Sequence, residues 1–136
     1  MERRVALQTF HGSCHCGAIR FEVDADPSTA TVLDCDCSVC TKKGILHLIV
    51  ARAQFRCAAF AEDADGALLT TYSFGTHTAK HFFCRRCGMH PFYVPRSHPH
   101  GIDVNVRCLD GVALAAWQVT PFHGADWEAA RSALGD

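Results

Sequence analysis

Residues 101–109 read GIDVNVRCL, and their alternation decides the fold class. Ile102, Val104, Val106 and Cys108 fall on one side of an extended chain, with Asp103, Asn105 and Arg107 on the other. A period of two predicts a β-strand with one apolar face. Residues 18–25, AIRFEVDA, repeat the pattern with Ile19, Phe21 and Val23 opposite Arg20, Glu22 and Asp24. Residues 44–51, GILHLIVA, are apolar on both faces apart from His47, as a central strand would be. ALLTTYSF and KHFFC extend the set with β-branched and aromatic residues. Asp65-Gly66 and Asp110-Gly111 each sit between strand-like runs, which predicts hairpins. Prolines at 91, 95 and 99 predict an extended or looped stretch outside the sheet interior. Only ADWEAARSAL near the end reads as helix, with Asp126 as N-cap and Gly135 as the terminating residue. Phe122 and Trp127 would anchor that helix in the core. No linker, repeat or low-complexity tract interrupts the chain, so residues 1–136 are read as one mainly-β domain with short helical segments.

A chain of 136 residues can bury roughly two-thirds of its unfolded surface, and 49% hydrophobic residues suffice for a core. A net charge of −1 gives no long-range field to hold a polyanion, which argues against nucleic acid as the partner. No apolar run reaches the roughly 20 residues needed to cross a bilayer. Only Val5, Ala6 and Leu7 stand between Arg4 and Gln8, too few for a secretory leader, so a cytoplasmic location is expected.

Nine cysteines are many for this length, and in a reducing compartment they point to metal rather than disulfides. Seven of them are clustered: CHC at 14–16, CDCSVC at 35–40 and CRRC at 84–87. Cys57 and Cys108 stand alone and are expected to pack as small apolar groups. CRRCG forms a knuckle in which the glycine lets backbone N–H groups face the sulfurs. CHCG offers two more sulfurs on a tighter turn, so Cys14, Cys16, Cys84 and Cys87 make a closed set for a structural zinc. A thioredoxin-like redox pair would need a βαβ setting that is missing.

That leaves Cys35, Cys37 and Cys40. Three ligands and one open position describe a catalytic zinc. The spacing equally allows His47, His77, His81, Cys57 or Cys108 to close the site. An iron–sulfur cluster fits the spacing poorly. Three thiolates on a dication leave a net −1, which acidifies bound water weakly and suits an incoming thiol better. A thiol held there as thiolate is nucleophilic at neutral pH, so an adjacent aldehyde would be attacked and a carbon–sulfur bond formed.

GSCHCGAIRFEV, CDCSVCTKKG, HFFCRRCGMHPFYVPRS, VNVRCLD and FHGADW occur in the order and spacing of one family. Over roughly residues 11–131 the chain resembles the glutathione-dependent formaldehyde-activating enzymes and the related domain of centromere protein V. The resemblance implies a β-tent fold of antiparallel sheets. It implies carbon–sulfur lyase-type chemistry: condensation of formaldehyde with glutathione to S-hydroxymethylglutathione, or the reverse. It also implies two zinc ions per chain, a structural one on Cys14, Cys16, Cys84 and Cys87 and a catalytic one on Cys35, Cys37 and Cys40. Two positions depart from the pattern. His123 stands where relatives often carry an acid, and His98 where an asparagine is frequent.

Beyond the metal, Lys42, Lys43, Arg96 and Ser97 are candidates for the anionic groups of a substrate, weighed against plain surface roles. Asn105 and Arg107 share the polar side of one strand and join them. His98 and His100, only two donors on a loop, are not expected to hold metal. The reading that competes with an enzyme is a non-catalytic zinc domain binding a small ligand or a protein partner.

Overall fold

A computed structural model describes residues 7–60, 68–111 and 114–132. Two sheets carry the fold. The smaller has strand order β1 (Gln8–Ser13), β2 (Arg20–Ala25), β5 (Phe55–Arg56). The larger contains β3 (Thr31–Cys35), β4 (Leu46–Ala51), β6 (Leu69–Tyr72), β7 (Lys80–Cys84), β8 (Phe92–Val94), β9 (Gly101–Asn105) and β10 (Gln118–Phe122). Its order is β10-β3-β4-β9-β8-β7-β6. All described pairings are antiparallel except β10 on β3, which is parallel and so departs from the all-antiparallel expectation. Helix α1 (Ser38–Lys43) follows β3, and α2 (Trp127–Ser132) follows a single 3₁₀ turn at Gly124–Asp126.

The register divides the large sheet into two faces one residue apart. Leu48, Val104, Phe92 and Phe82 lie directly opposite one another across β4, β9, β8 and β7 and are all buried. They pack against Phe21, Val23 and Phe55 of the small sheet. Phe55 and Phe92 meet edge-on at 4.8 Å, and Phe60 meets both Phe82 and Phe92 within 5.3 Å. Edge-on contact suits the ring quadrupoles, and these rings carry much of the core.

The opposite row reads Ile49, Asp103, Tyr93, His81 and Tyr72 across β4, β9, β8, β7 and β6. The first four of these line the floor of a pocket. β9 is buried at all five positions, because core covers one face and the pocket walls shelter the other.

Several sequence expectations change. The stretch with three prolines contains β8, an interior strand, because Pro91 and Pro95 flank it and so displace no ladder donor. Pro91 still contributes its carbonyl, which accepts from the Asn105 N–H at 2.9 Å. GIDVNVRCL is strand only to Asn105. Val106–Cys108 turn as 3₁₀, started by the Asn105 side chain accepting from the Arg107 N–H. Asp110-Gly111 forms a turn with Gly111 at φ 66°, but β9 and β10 are not paired, so it closes no hairpin. Asp65-Gly66 and Gly135 lie outside the described residues. Phe122 and Trp127 are only partly buried and border the pocket instead of the core.

Candidate metal centres and the adjoining pocket

Cys14 and Cys16 occupy the β1–β2 turn, while Cys84 ends β7 and Cys87 lies in the turn to β8. Both turns pivot on glycines in the left-handed region, Gly17 at φ 79° and Gly88 at φ 76°. The four sulfurs lie within 4.8 Å of one another. Cys16 Sγ is 3.6 Å from Cys14 Sγ and 3.7 Å from Cys84 Sγ. Zinc–sulfur bonds of about 2.3 Å at tetrahedral angles require sulfurs about 3.8 Å apart, so the set fits such an ion. Ile19 N–H donates to Cys14 Sγ at 3.3 Å and Arg86 N–H to Cys84 Sγ at 3.4 Å. This cluster could bind a metal joining the two sheets.

Cys35 ends β3, Cys37 precedes α1 and Cys40 lies within it; their sulfurs also fall within 4.8 Å of one another. Among the described residues, no other His, Cys, Asp or Glu donor completes this group. His47, His77, His81, Cys57 and Cys108 therefore do not stand with it as a fourth ligand. Crowding three sulfurs separates their proton affinities. Contacts from Cys35 and Cys40 push Cys37 down, while those from Cys35 and Cys37, with burial, push Cys40 up. A dication taking all three as thiolates would remove that conflict.

The C-terminal segment is drawn onto this trio. Phe122 on β10 lies beside Cys35 on β3. Asp36, between the first two cysteines, accepts from Ala125 N–H at 2.8 Å and lies 3.2 Å from His123 Nδ1. The Ala125 bond, then the His123 contact, holds the Asp36 carboxyl below its usual range. Gly124 sits so close that a Cβ there would come within 2.4 Å of Cys35 Sγ.

Cys35, Cys37 and Cys40 border a cavity of about 400 Å³ whose floor includes His47, Asp103, Tyr93 and His81. His47 and Asp103 are 2% and 1% exposed. His47 Nδ1 lies 3.0 Å from Asp103 Oδ2 and 3.1 Å from the Tyr93 hydroxyl, and Nε2 has no protein partner. Burial alone would lower the His47 pKa, but the adjacent Asp103 carboxylate and its hydrogen bond outweigh it and the pKa rises. His81 and His90 lack such a carboxylate partner. Burial lowers them to about 4 and about 2.

Of the candidate substrate contacts, Arg96 and Ser97 border this cavity. The Arg96 guanidinium lies 3.6 Å above the Trp127 ring, with Glu128 at 3.4 Å. Lys42 and Lys43 border a neighbouring hollow, and the Lys43 ammonium sits 5.1 Å from the Phe83 ring centre. Asn105 is buried and occupied: it accepts from the Arg107 N–H and donates to the His90 carbonyl. His98 Nδ1 is 2.8 Å from the Ser97 hydroxyl, and His123 is exposed on Asp36. Asp103, Tyr93, Phe74 and Gly124 were not singled out from sequence as site residues. The quoted motifs VNVRCLD, HFFCRRCGMHPFYVPRS and FHGADW nevertheless pass through or beside three of them.

The family model for the glutathione-dependent formaldehyde-activating enzyme matches residues 9–123. The chain belongs to that family. A crystal structure of a Rhodobacter sphaeroides protein is also similar, at 38% identity and a TM-score of 0.66, covering 81% of this chain and 99% of that one. Membership accords with both clusters as metal sites. No described helix is long and apolar enough to cross a membrane.

Proposed function

We propose that this family member is a zinc-dependent carbon–sulfur lyase-type enzyme acting in the cytoplasm. It would join a small thiol, glutathione being the one the family is named for, to an aldehyde such as formaldehyde, or catalyse the reverse. The carrying observation is the Cys35, Cys37, Cys40 trio without a fourth described donor at the edge of a cavity. Zinc held by those thiolates would keep an incoming sulfur deprotonated at neutral pH. The other four cysteines would hold a second, structural zinc.

In the net reaction a bond forms between sulfur and carbonyl carbon. The C=O π pair moves to oxygen, and the thiol proton ends on that oxygen. His47 is the proton carrier in this reading. Asp103 fixes Nδ1, which leaves Nε2 to take the proton and return it to the oxygen. The Tyr93 hydroxyl lies 3.1 Å from the same nitrogen and shares it with Asp103.

The test is the rate of formaldehyde–thiol adduct exchange, followed by NMR with the zinc-loaded chain. Acceleration of at least about a hundredfold, lost in Cys37→Ser with the fold intact, is expected for one positioned catalytic group. No acceleration from fully loaded protein would leave only a binding module.

A further inference from the structure

The cavity beside the trio is built for a narrower class of thiol than the family name conveys. Its walls are mostly apolar, with Leu33, Val39, Pro95, Phe122 and Trp127 among them. Rings lead from its floor to the surface in near-parallel array. His81 and Tyr93 stack at 4.6 Å and 18°, Phe74 and His81 at 5.6 Å and 16°. Tyr72 continues the series on Phe74 at 5.6 Å. Phe74, 41% exposed where the array leaves the cavity, is an apolar surface that a ligand would cover.

Charge is sparse in the cavity. Besides the cysteines and histidines, Arg96 and Asp103 are the charged side chains among its described lining residues. Asp103 has one oxygen on His47 and the other buried without a partner, so neither is exposed to pair a ligand ammonium. Arg96 lies flat on Trp127, and its 3.4 Å contact with the exposed Glu128 is of the weak surface kind that a ligand carboxylate can share. Glutathione brings two carboxylates and an ammonium. This cavity offers one guanidinium, and an unpaired charge against apolar walls is costly.

Resting on the open-trio reading, we propose that the preferred thiol has a compact apolar body bearing a ring and a single acidic end. The ring lies along Phe74 and Trp127, the acid meets Arg96, and the sulfur reaches the three cysteines. Cobalt-loaded full-length protein, titrated with three thiols and followed by its sulfur-to-metal absorption, tests this. The thiols are glutathione, 2-mercapto-3-phenylpropanoate and 2-phenylethanethiol. The expected order puts the phenylpropanoate at least tenfold tighter than glutathione. The phenylethanethiol, lacking the acid, binds about tenfold weaker than the phenylpropanoate, and Arg96→Leu abolishes that difference. Glutathione binding as tightly as the phenylpropanoate, with the metal spectrum responding to both, overturns the inference while leaving the open site standing. A spectrum that responds to no thiol overturns both.

Discussion

Gly124 shows how one missing carbon can set a site. It does not occupy the left-handed region, so the backbone does not demand glycine there. Space does: the first side-chain carbon would lie 2.4 Å from Cys35 Sγ and 3.1 Å from Cys37 Cβ. Overpacking of this kind typically costs about 1–3 kcal/mol. In Gly124→Ala the strain falls on the trio, so metal counting should find one tightly held equivalent and a second weakened at least about tenfold. Two equivalents of wild-type affinity would contradict this. His90 makes a separate prediction. Its ring nitrogens are buried without protein partners, and burial, then the charges of His81, Lys43 and His47, lowers its pKa to about 2. Unfolded, it titrates near 6.5. The unfolded chain therefore binds the proton first, and stability is complete above about pH 6.5 and falls as pH drops. The slope is about 1.4 kcal/mol per pH unit for each such histidine. His90→Leu should flatten urea-derived stability between pH 6 and 4 by about that much relative to wild type. Parallel curves for the two proteins would show that His90 is not held neutral.

The strands show what local pattern can and cannot disclose. Alternation in residues 18–25 and the apolar run at 44–51 identified β2 and β4, because burial of one face or both leaves its mark on consecutive residues. β8 is hidden from local pattern because it is three residues long and bracketed by Pro91 and Pro95, which sit outside its ladder. The Asp110-Gly111 turn is real, yet turn chemistry names no partner strand. β10 crosses to β3 and brings Gly124 to Cys35. The candidate metal ligands are legible because each turn carries its cysteines within a few residues: the trio in one stretch, the other four as two close pairs. The floor is not, since Ile49, Asp103, Tyr93 and His81 come from four strands and meet only through register. The same distinction between elements separates the two cysteine groups. Cys87→Ser breaks a cluster built from one turn of each sheet, and it should unfold or aggregate. Cys37→Ser alters one corner of a cluster between β3 and α1, and far-UV circular dichroism should stay within a few per cent of wild type. Equal loss of structure in both variants would make the trio a structural site.

At the scale of the whole molecule, the two sheets share few backbone ties. Among the described residues, one isolated bridge joins Gly12 of β1 to Leu109, just past the 3₁₀ turn that follows β9. The phenylalanine core holds them together on one side. The Cys14, Cys16, Cys84, Cys87 cluster brings the two turns together on another, where a metal could join them. A structural zinc contributes on the order of 10–16 kcal/mol of apparent binding energy, comparable to the roughly 5–15 kcal/mol by which domains are stable. Removing that ion should therefore unfold the chain. The trio's ion has one fewer protein ligand and a cavity beside it, so a chelator should reach it first. Stepwise chelation is thus expected to release one equivalent with the circular dichroism and thermal midpoint nearly unchanged, and a second only as the sheets come apart. Adding excess zinc during heating should raise the midpoint, and Cys37→Ser should keep most of that rise because the four-cysteine site remains. Simultaneous release of both ions would mean that the trio also supports the fold, and the separation of stability from chemistry would be lost.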